Sequence, residues 1–221
     1  MNPDNNALAR TYFIGGSPRV GKTLLAHALA SNVNGHVVSA DAIRDAIKKV
    51  VVDTSSPLFG IDKLDQFPDQ EWLNVYSTNP QQVVDTQNAE SEICWEPIVS
   101  YASSFCEDDA THILEGVAVL PRFVHGMRNK PEHIIFVGNT SAEHFQSMIK
   151  YAQENPEKDW MSVMGYTEQK IQGVGVFVQK MSEYIREEAK KYGYKYYELD
   201  DSDFDDTIQA VVKDILSLEG Q

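Results

Sequence analysis

The most specific chemistry in this sequence lies in eight consecutive residues, Gly16-Ser17-Pro18-Arg19-Val20-Gly21-Lys22-Thr23, which complete the pattern GxxxxGK[ST]. Glycines let the backbone curl so that successive N–H groups face one point, and a helix beginning near Lys22 would aim its positive dipole end at the same spot. That arrangement binds phosphate. In such a loop the lysine reaches the β and γ phosphates of a nucleotide and the last hydroxyl ligates a bridging Mg2+, roles that fall here to Lys22 and Thr23. The expected nucleotide-binding segment is therefore Gly16, Ser17, Pro18, Arg19, Val20, Gly21, Lys22, Thr23 and Leu24. The Arg19 guanidinium either touches phosphate or is a solvated loop charge.

A phosphate loop alone does not separate kinases from other nucleotide-using proteins, so the acids at other strand ends matter. Asp41, in Val38-Ser39-Ala40-Asp41-Ala42-Ile43-Arg44, follows an apolar run and opens a helical pattern. A carboxylate there projects from the carboxyl edge of a sheet, beside the crevice where open α/β sheets bind ligands, and could act as a general base. Its other reading is a helix N-cap. Glu115 ends the apolar segment Thr111-His112-Ile113-Leu114, the place of a carboxylate that holds Mg2+ or its water; its other reading is a loop acid capping the next helix.

Together, IGGSPRVGKT, VVSADAIRDAI and HILEGVAVLP resemble the small P-loop kinases of the 2-phosphoglycerate kinase, zeta toxin and chloramphenicol phosphotransferase group. The resemblance covers the first 50 residues and residues 111–121, and little between them. It implies that Asp41 is the base on a substrate hydroxyl, that Arg44 helps to hold an anionic or polar substrate, and that Glu115-Gly116 matches the group's strand end. It also implies ATP and Mg2+ as cofactors and a small-molecule acceptor. Such kinases usually close an arginine-bearing lid over the transferring phosphoryl, whereas Ser141 to Lys150 contains no arginine. Lys150 and Lys158 are then the lid cations; lysine neutralises charge but lacks the bidentate fork. The segment from Asn155 to Gly165, with Trp160 and its methionines, reads as a lid or as a buried helix connection, and the lid spans about 150–166.

Positioning these groups requires alternating strands and helices. Apolar and β-branched runs at 11–14, 36–39, 112–114, 133–137 and 194–199 predict five short strands. Helical spacing follows the phosphate loop and recurs at 41–50, 81–105 (with Pro97 as a kink), 141–153, 167–192 and 204–218. Residues 53–80, with Pro57, Gly60, Pro68 and Pro80, hold no single period and read as an irregular insertion. Alternation of this kind predicts an α/β fold, a three-layer αβα P-loop architecture with a five-stranded parallel sheet of the nucleoside-monophosphate-kinase type. On the long helix, Glu90, Glu92 and Glu96 read as a solvated face.

At 221 residues the chain is expected to form one domain, 1–221. Its net charge of −14 disfavours nonspecific binding to nucleic acid or to anionic membrane. Cys94 and Cys106 make neither a disulfide framework nor a zinc site, and the start shows no leader pattern, so a cytoplasmic protein is expected; monomer and homodimer both stay open. Asp201 to Asp205 imitates a calcium loop, but Asp206 and Val212 stand where glycine and glutamate are needed. Gly173-Val174-Gly175 lacks a third glycine and a preceding strand, and the six histidines form no HExxH. Three readings of function remain: a small-molecule kinase, a nucleotide-binding regulator or weak NTPase without efficient transfer, and a toxin-like nucleotide-sugar kinase.

Overall fold

The computed structural model describes residues 8, 10–107, 110–199, 201 and 203–217, with backbone alone at 106 and 107. Readings at the amino terminus, at the Asp108-Asp109 turn, at Ser202 and at Leu218 fall outside those residues. Five strands form the sheet: β1 (Thr11–Gly16), β2 (Gly35–Ser39), β3 (Thr111–Gly116), β4 (His133–Gly138) and β5 (Lys195–Glu198). All neighbours are parallel, in the order β2-β3-β1-β4-β5. Parallel neighbours need crossover connections, and helices supply them: α1 (Lys22–Val33), α2 (Ala40–Val50), α3 (Gly60–Asp65), α4 (Asp69–Leu73), α5 (Pro80–Ala102), α6 (Pro121–Gly126), α7 (His144–Glu154), α8 (Trp160–Val163), α9 (Glu168–Tyr192) and α10 (Phe204–Ser217).

In the central strands β1 and β3, successive residues are buried regardless of which face they point to: Phe13 and Ile14 have no exposure, nor do Ile113 and Leu114. Both faces must then be covered, the expected three-layer arrangement. The helix α1 packs on β2, β3 and α10, while α9 packs on β4, β5, α5, α6 and α7. The edge strands β2 and β5 are only partly buried. Close packing of α9 uses its two interior glycines. A Cβ at Gly175 would stand 2.6 Å from the Phe145 Cβ, and one at Gly173 would stand 3.0 Å from the Trp72 ring. No helix among the described residues is long and apolar enough to cross a membrane.

The fold class matches the expectation; several local readings do not. Residues 53–80 are not irregular but hold a 3-10 turn at Pro57–Phe59, α3, α4 and a π turn at Asn74–Thr78. Pieces of three to six residues are too short to display a period. Helix α5 runs through Pro97 and stops at Ala102, followed by a 3-10 turn over residues 103–107. The helix expected from Ser141 begins at His144, and α6 was missed altogether because its six residues follow the strand end at Gly116 with no polar punctuation.

Candidate active site

Strand register brings the site residues to one edge. Ser39 pairs with Glu115 and Ile14 with Glu115, so the ends of β2, β3 and β1 lie side by side. The phosphate loop leaves β1 at Gly16 and enters α1 at Lys22. Gly21 has φ +95°, a conformation that disfavours any Cβ, and a side chain there would also run into the Phe204 ring at the start of α10. Arg19 adopts a left-handed φ of 64° without that freedom, and its carbonyl lies 3.1 Å from His144 Nε2. Ser17 is fully buried; its hydroxyl meets that of Ser182 on α9 at 2.5 Å, and Ser182 Oγ accepts the Asn139 N–H at the end of β4. The loop is thus tied to three elements behind it.

Lys22 is buried, and its Nζ donates to the Ser17 carbonyl at 2.9 Å. Burial lowers its pKa, while the carboxylates of Asp41 and Glu115 pull it back up. Glu115, 3% exposed, receives hydrogen bonds from the Thr23 and Ser39 hydroxyls, yet its Oε2 has no partner among the described residues. Burial pushes the Glu115 carboxyl up, with Lys22 opposing and Asp41 reinforcing the shift. Thr23 itself is exposed, and the Leu24 side chain is 57% exposed, so only backbone at Leu24 is available to a nucleotide.

The cap of α2 is Ser39, whose hydroxyl accepts the Ala42 N–H at 3.3 Å. This corrects the N-cap alternative for Asp41. The Asp41 carboxylate instead accepts the Val117 N–H at 3.2 Å through Oδ1 and lies 3.7 Å from Arg44 Nη1. Gly116 has a packing reason: a Cβ there would come within 2.8 Å of Ala40 Cβ and 3.2 Å of Asp41 Oδ1. Arg44 also pairs with Asp45 at 3.0 Å.

Beside the loop opens a cavity of about 490 Å3, lined by Pro18, by Arg44 and Lys48 of α2, by Gln87 and Glu90 of α5, and by the aromatic residues Tyr76, Trp160, Tyr166 and Phe177. Arg44 and Lys48 share a helix face at i,i+4 spacing. Glu90 corrects the surface reading of the acids on α5: it is 1% exposed and faces this cavity, whereas Glu92 and Glu96 are exposed. Trp160, Met164 and Tyr166, from the segment read as a lid, form part of the cavity wall, and Met161 and Asp159 of that segment are buried. Lys150 and Lys158 are not brought here. Both are exposed, and among the described residues neither side chain makes an ion pair or hydrogen bond. The Arg19 guanidinium is neither solvated nor free for a ligand in this conformation, because it pairs with Asp159 at 2.5 Å and sits over the Tyr151 ring.

The donor set can be tested against Mg2+. No group of three or more His, Cys, Asp or Glu side chains placed to hold a metal occurs among the described residues. Mg2+ at phosphate sites commonly takes one or two protein oxygens and otherwise phosphate and water. A buried carboxylate oxygen without a partner, beside a threonine hydroxyl, fits that demand.

No protein-family model and no curated protein matches the sequence. Among solved structures, a dephospho-CoA kinase from Campylobacter jejuni is similar over 94% of this chain and 97% of that chain, with 12% sequence identity and a TM-score of 0.41, a likeness too slight to bear on function.

Proposed function

We propose that the chain is an ATP- and Mg2+-dependent kinase that moves the γ-phosphoryl group to a hydroxyl of a small molecule held in the cavity beside the loop. The observation that carries this reading is the convergence of Lys22, Asp41 and Glu115 on one another, with Asp41 3.7 Å from the Arg44 guanidinium that lines the cavity and Pro18 of the loop in the same wall.

Loop amides and the α1 dipole hold the phosphates, and Lys22 exchanges its bond to the Ser17 carbonyl for the β and γ oxygens. Thr23 and Glu115 would hold Mg2+, which would supply positive charge to offset the negative charge developing on the transferred phosphoryl group. Asp41 accepts the proton of the acceptor hydroxyl as its oxygen bonds to the γ phosphorus; the bond from that phosphorus to the bridging oxygen breaks, and ADP leaves. Arg44, one turn on, orients the Asp41 carboxylate. Because Lys150 and Lys158 lie outside, Lys22 provides the cationic charge, and the segment about 150–166 closes the cavity with Trp160 and Met164 rather than with a cation.

The arginine-free segment favours a second reading, a nucleotide-binding regulator with slow hydrolysis. ATP consumption with Mg2+ against phosphorylated acids, nucleosides, nucleotide sugars and amino alcohols separates them. Acceptor-dependent turnover that disappears in Asp41→Asn supports the kinase; ATP binding with no stimulated turnover supports the regulator.

A further inference from the structure

The charges of the cavity are unsuited to an anionic acceptor. Two cations line it, Arg44 and Lys48, against four carboxylates, Asp45, Asp62, Asp65 and Glu90. Both cations are already covered: Arg44 by Asp45 and Asp41, and Lys48 by Asp62 at 2.9 Å and Glu90 at 3.2 Å. What remains unsatisfied is mostly negative. Glu90 Oε1 accepts from Ile61 N–H and Lys48, while its Oε2 is buried without a partner among the described residues. A buried carboxylate oxygen in that state is costly unless a donor reaches it. Nearby, Gln87 Nε2 is buried and also lacks a partner, so the same wall offers one amide donor.

Asp65 sits among aromatic rings. Its Oδ1 accepts from Trp72 Nε1 at 3.3 Å, Tyr76 OH at 3.0 Å and Tyr166 OH at 3.4 Å, which leaves Oδ2 for the cavity that Asp65 lines. Tyr76 stacks on Trp72 with centroids 3.9 Å apart, and Tyr166 meets Trp72 edge-on at 5.6 Å. One flank of this cluster carries a cation, since Lys170 Nζ lies 5.4 Å from the Trp72 centroid and 5.5 Å from that of Tyr166, with Asp69 at 2.8 Å as its counter-ion. Aromatic faces with a carboxylate among them attract an ammonium group and reject a carboxylate or phosphate.

Resting on the kinase reading, we propose that the acceptor is an alcohol carrying a protonated amine on a compact, ring-bearing skeleton. The ammonium group sits between Asp65 Oδ2 and Glu90 Oε2, the ring lies against Tyr76 and Tyr166, a neutral acceptor atom meets Gln87 Nε2, and the hydroxyl points to Asp41. Burial raises the pKa of both Asp65 and Glu90, and a cation between them relieves that burden.

Three probes that share one skeleton test this: phenylethanolamine, phenylethanediol and mandelate, which place an ammonium, a hydroxyl and a carboxylate beside the same benzylic alcohol. Titration calorimetry with the unaltered chain is expected to show phenylethanolamine binding about tenfold or more tighter than the diol, with mandelate weakest. Asp65→Asn and Glu90→Gln, each keeping an oxygen acceptor for the existing donors, are expected to erase the preference for the amine while leaving diol binding within about threefold. Equal or tighter binding of mandelate, failure of all three to bind, or an amine preference that survives in both variants would overturn it. The unaltered chain alone decides the order if a variant does not fold. Amine-selective binding without ATP consumption would keep this proposal and remove the kinase reading; turnover on mandelate would do the reverse.

Discussion

The Arg19 guanidinium, on the phosphate loop, lies 2.5 Å from the Asp159 carboxylate, which caps α8 by accepting the Ser162 N–H. The loop proposed to hold phosphate is thereby joined to the segment that walls the cavity beside it. The Asp159 side chain is fully buried and that of Arg19 is 16% exposed, so breaking the pair strands a charge in low dielectric. Asp159→Asn keeps the cap acceptor and removes the charge. It is expected to cost about 2 kcal/mol in urea unfolding and to speed amide exchange across residues 155–166. Arg19→Met combined with Asp159→Asn should recover part of that loss in a double-mutant cycle, because no unpaired charge is then left. Additive losses would show that the pair does not couple the two segments.

Lys22 and Asp41 separate binding from transfer. Lys22→Ala removes the side chain proposed to reach the β and γ phosphates, so ATP affinity should fall by about tenfold or more, while the residues that line the cavity are untouched. Asp41→Asn preserves an acceptor for the Val117 N–H and so the shape of the site. ATP binding should stay within about twofold and turnover should fall ~100-fold or more, the size of a lost general base. Equal loss of ATP binding in both variants would remove Asp41 from the role of base.

Glu115 sets function against stability. Burial raises its carboxyl pKa in the folded chain above the unfolded value, so the folded state binds the proton more tightly. The stabilising contribution of this group is then complete below the unfolded pKa and is lost as pH rises through the folded pKa. Glu115→Gln should therefore unfold at a higher temperature than the native chain near neutral pH, and the difference should vanish toward pH 4, read by thermal melts across that range. The same variant should weaken the Mg2+ dependence of ATP binding, because glutamine lacks the charge that a divalent ion needs. A variant less stable than the native chain at pH 7 would mean that Lys22 and the two hydroxyls outweigh the burial of the carboxylate.

Much of this was legible in residue order. The segment Gly16 to Thr23 is contiguous, so eight letters and their strand and helix context suffice to place it between β1 and α1. The central strands are near-continuous apolar runs, as strands buried on both faces must be, and their positions follow from that alone. The cavity wall was not legible. Asp65 acquires its surroundings from Trp72, Tyr76 and Tyr166, the last 101 positions away, and short helices such as α3 and α4 carry too few residues for a period. Glu90, Glu92 and Glu96 look alike along α5; only packing against α2 and α3 makes one of them buried. Arg19 shows the same limit, since Asp159 is 140 positions downstream and no local pattern announces their pairing.

Gly116 offers a test of how narrowly the base is placed. The start of α2 approaches β3 closely because position 116 has no side chain, and Asp41 Oδ1 occupies the space just beyond. A methyl group would meet Ala40 Cβ at 2.8 Å, with the Asp41 carboxylate at 3.2 Å, so the helix end must shift by a few tenths of an ångström. Neither contact involves the phosphate loop. Gly116→Ala is therefore expected to leave ATP affinity within about twofold and to reduce turnover by about tenfold or more, because small misplacement of a reacting group is costly in rate. Its stability should fall by about 1–3 kcal/mol, the usual range for overpacking. Restoring space with Ala40→Gly in the same chain should return part of the turnover, although that glycine weakens the first turn of α2 by about 1 kcal/mol. A rate loss with no such recovery would mean that Gly116 serves the site through its backbone and not through the room it leaves for Asp41.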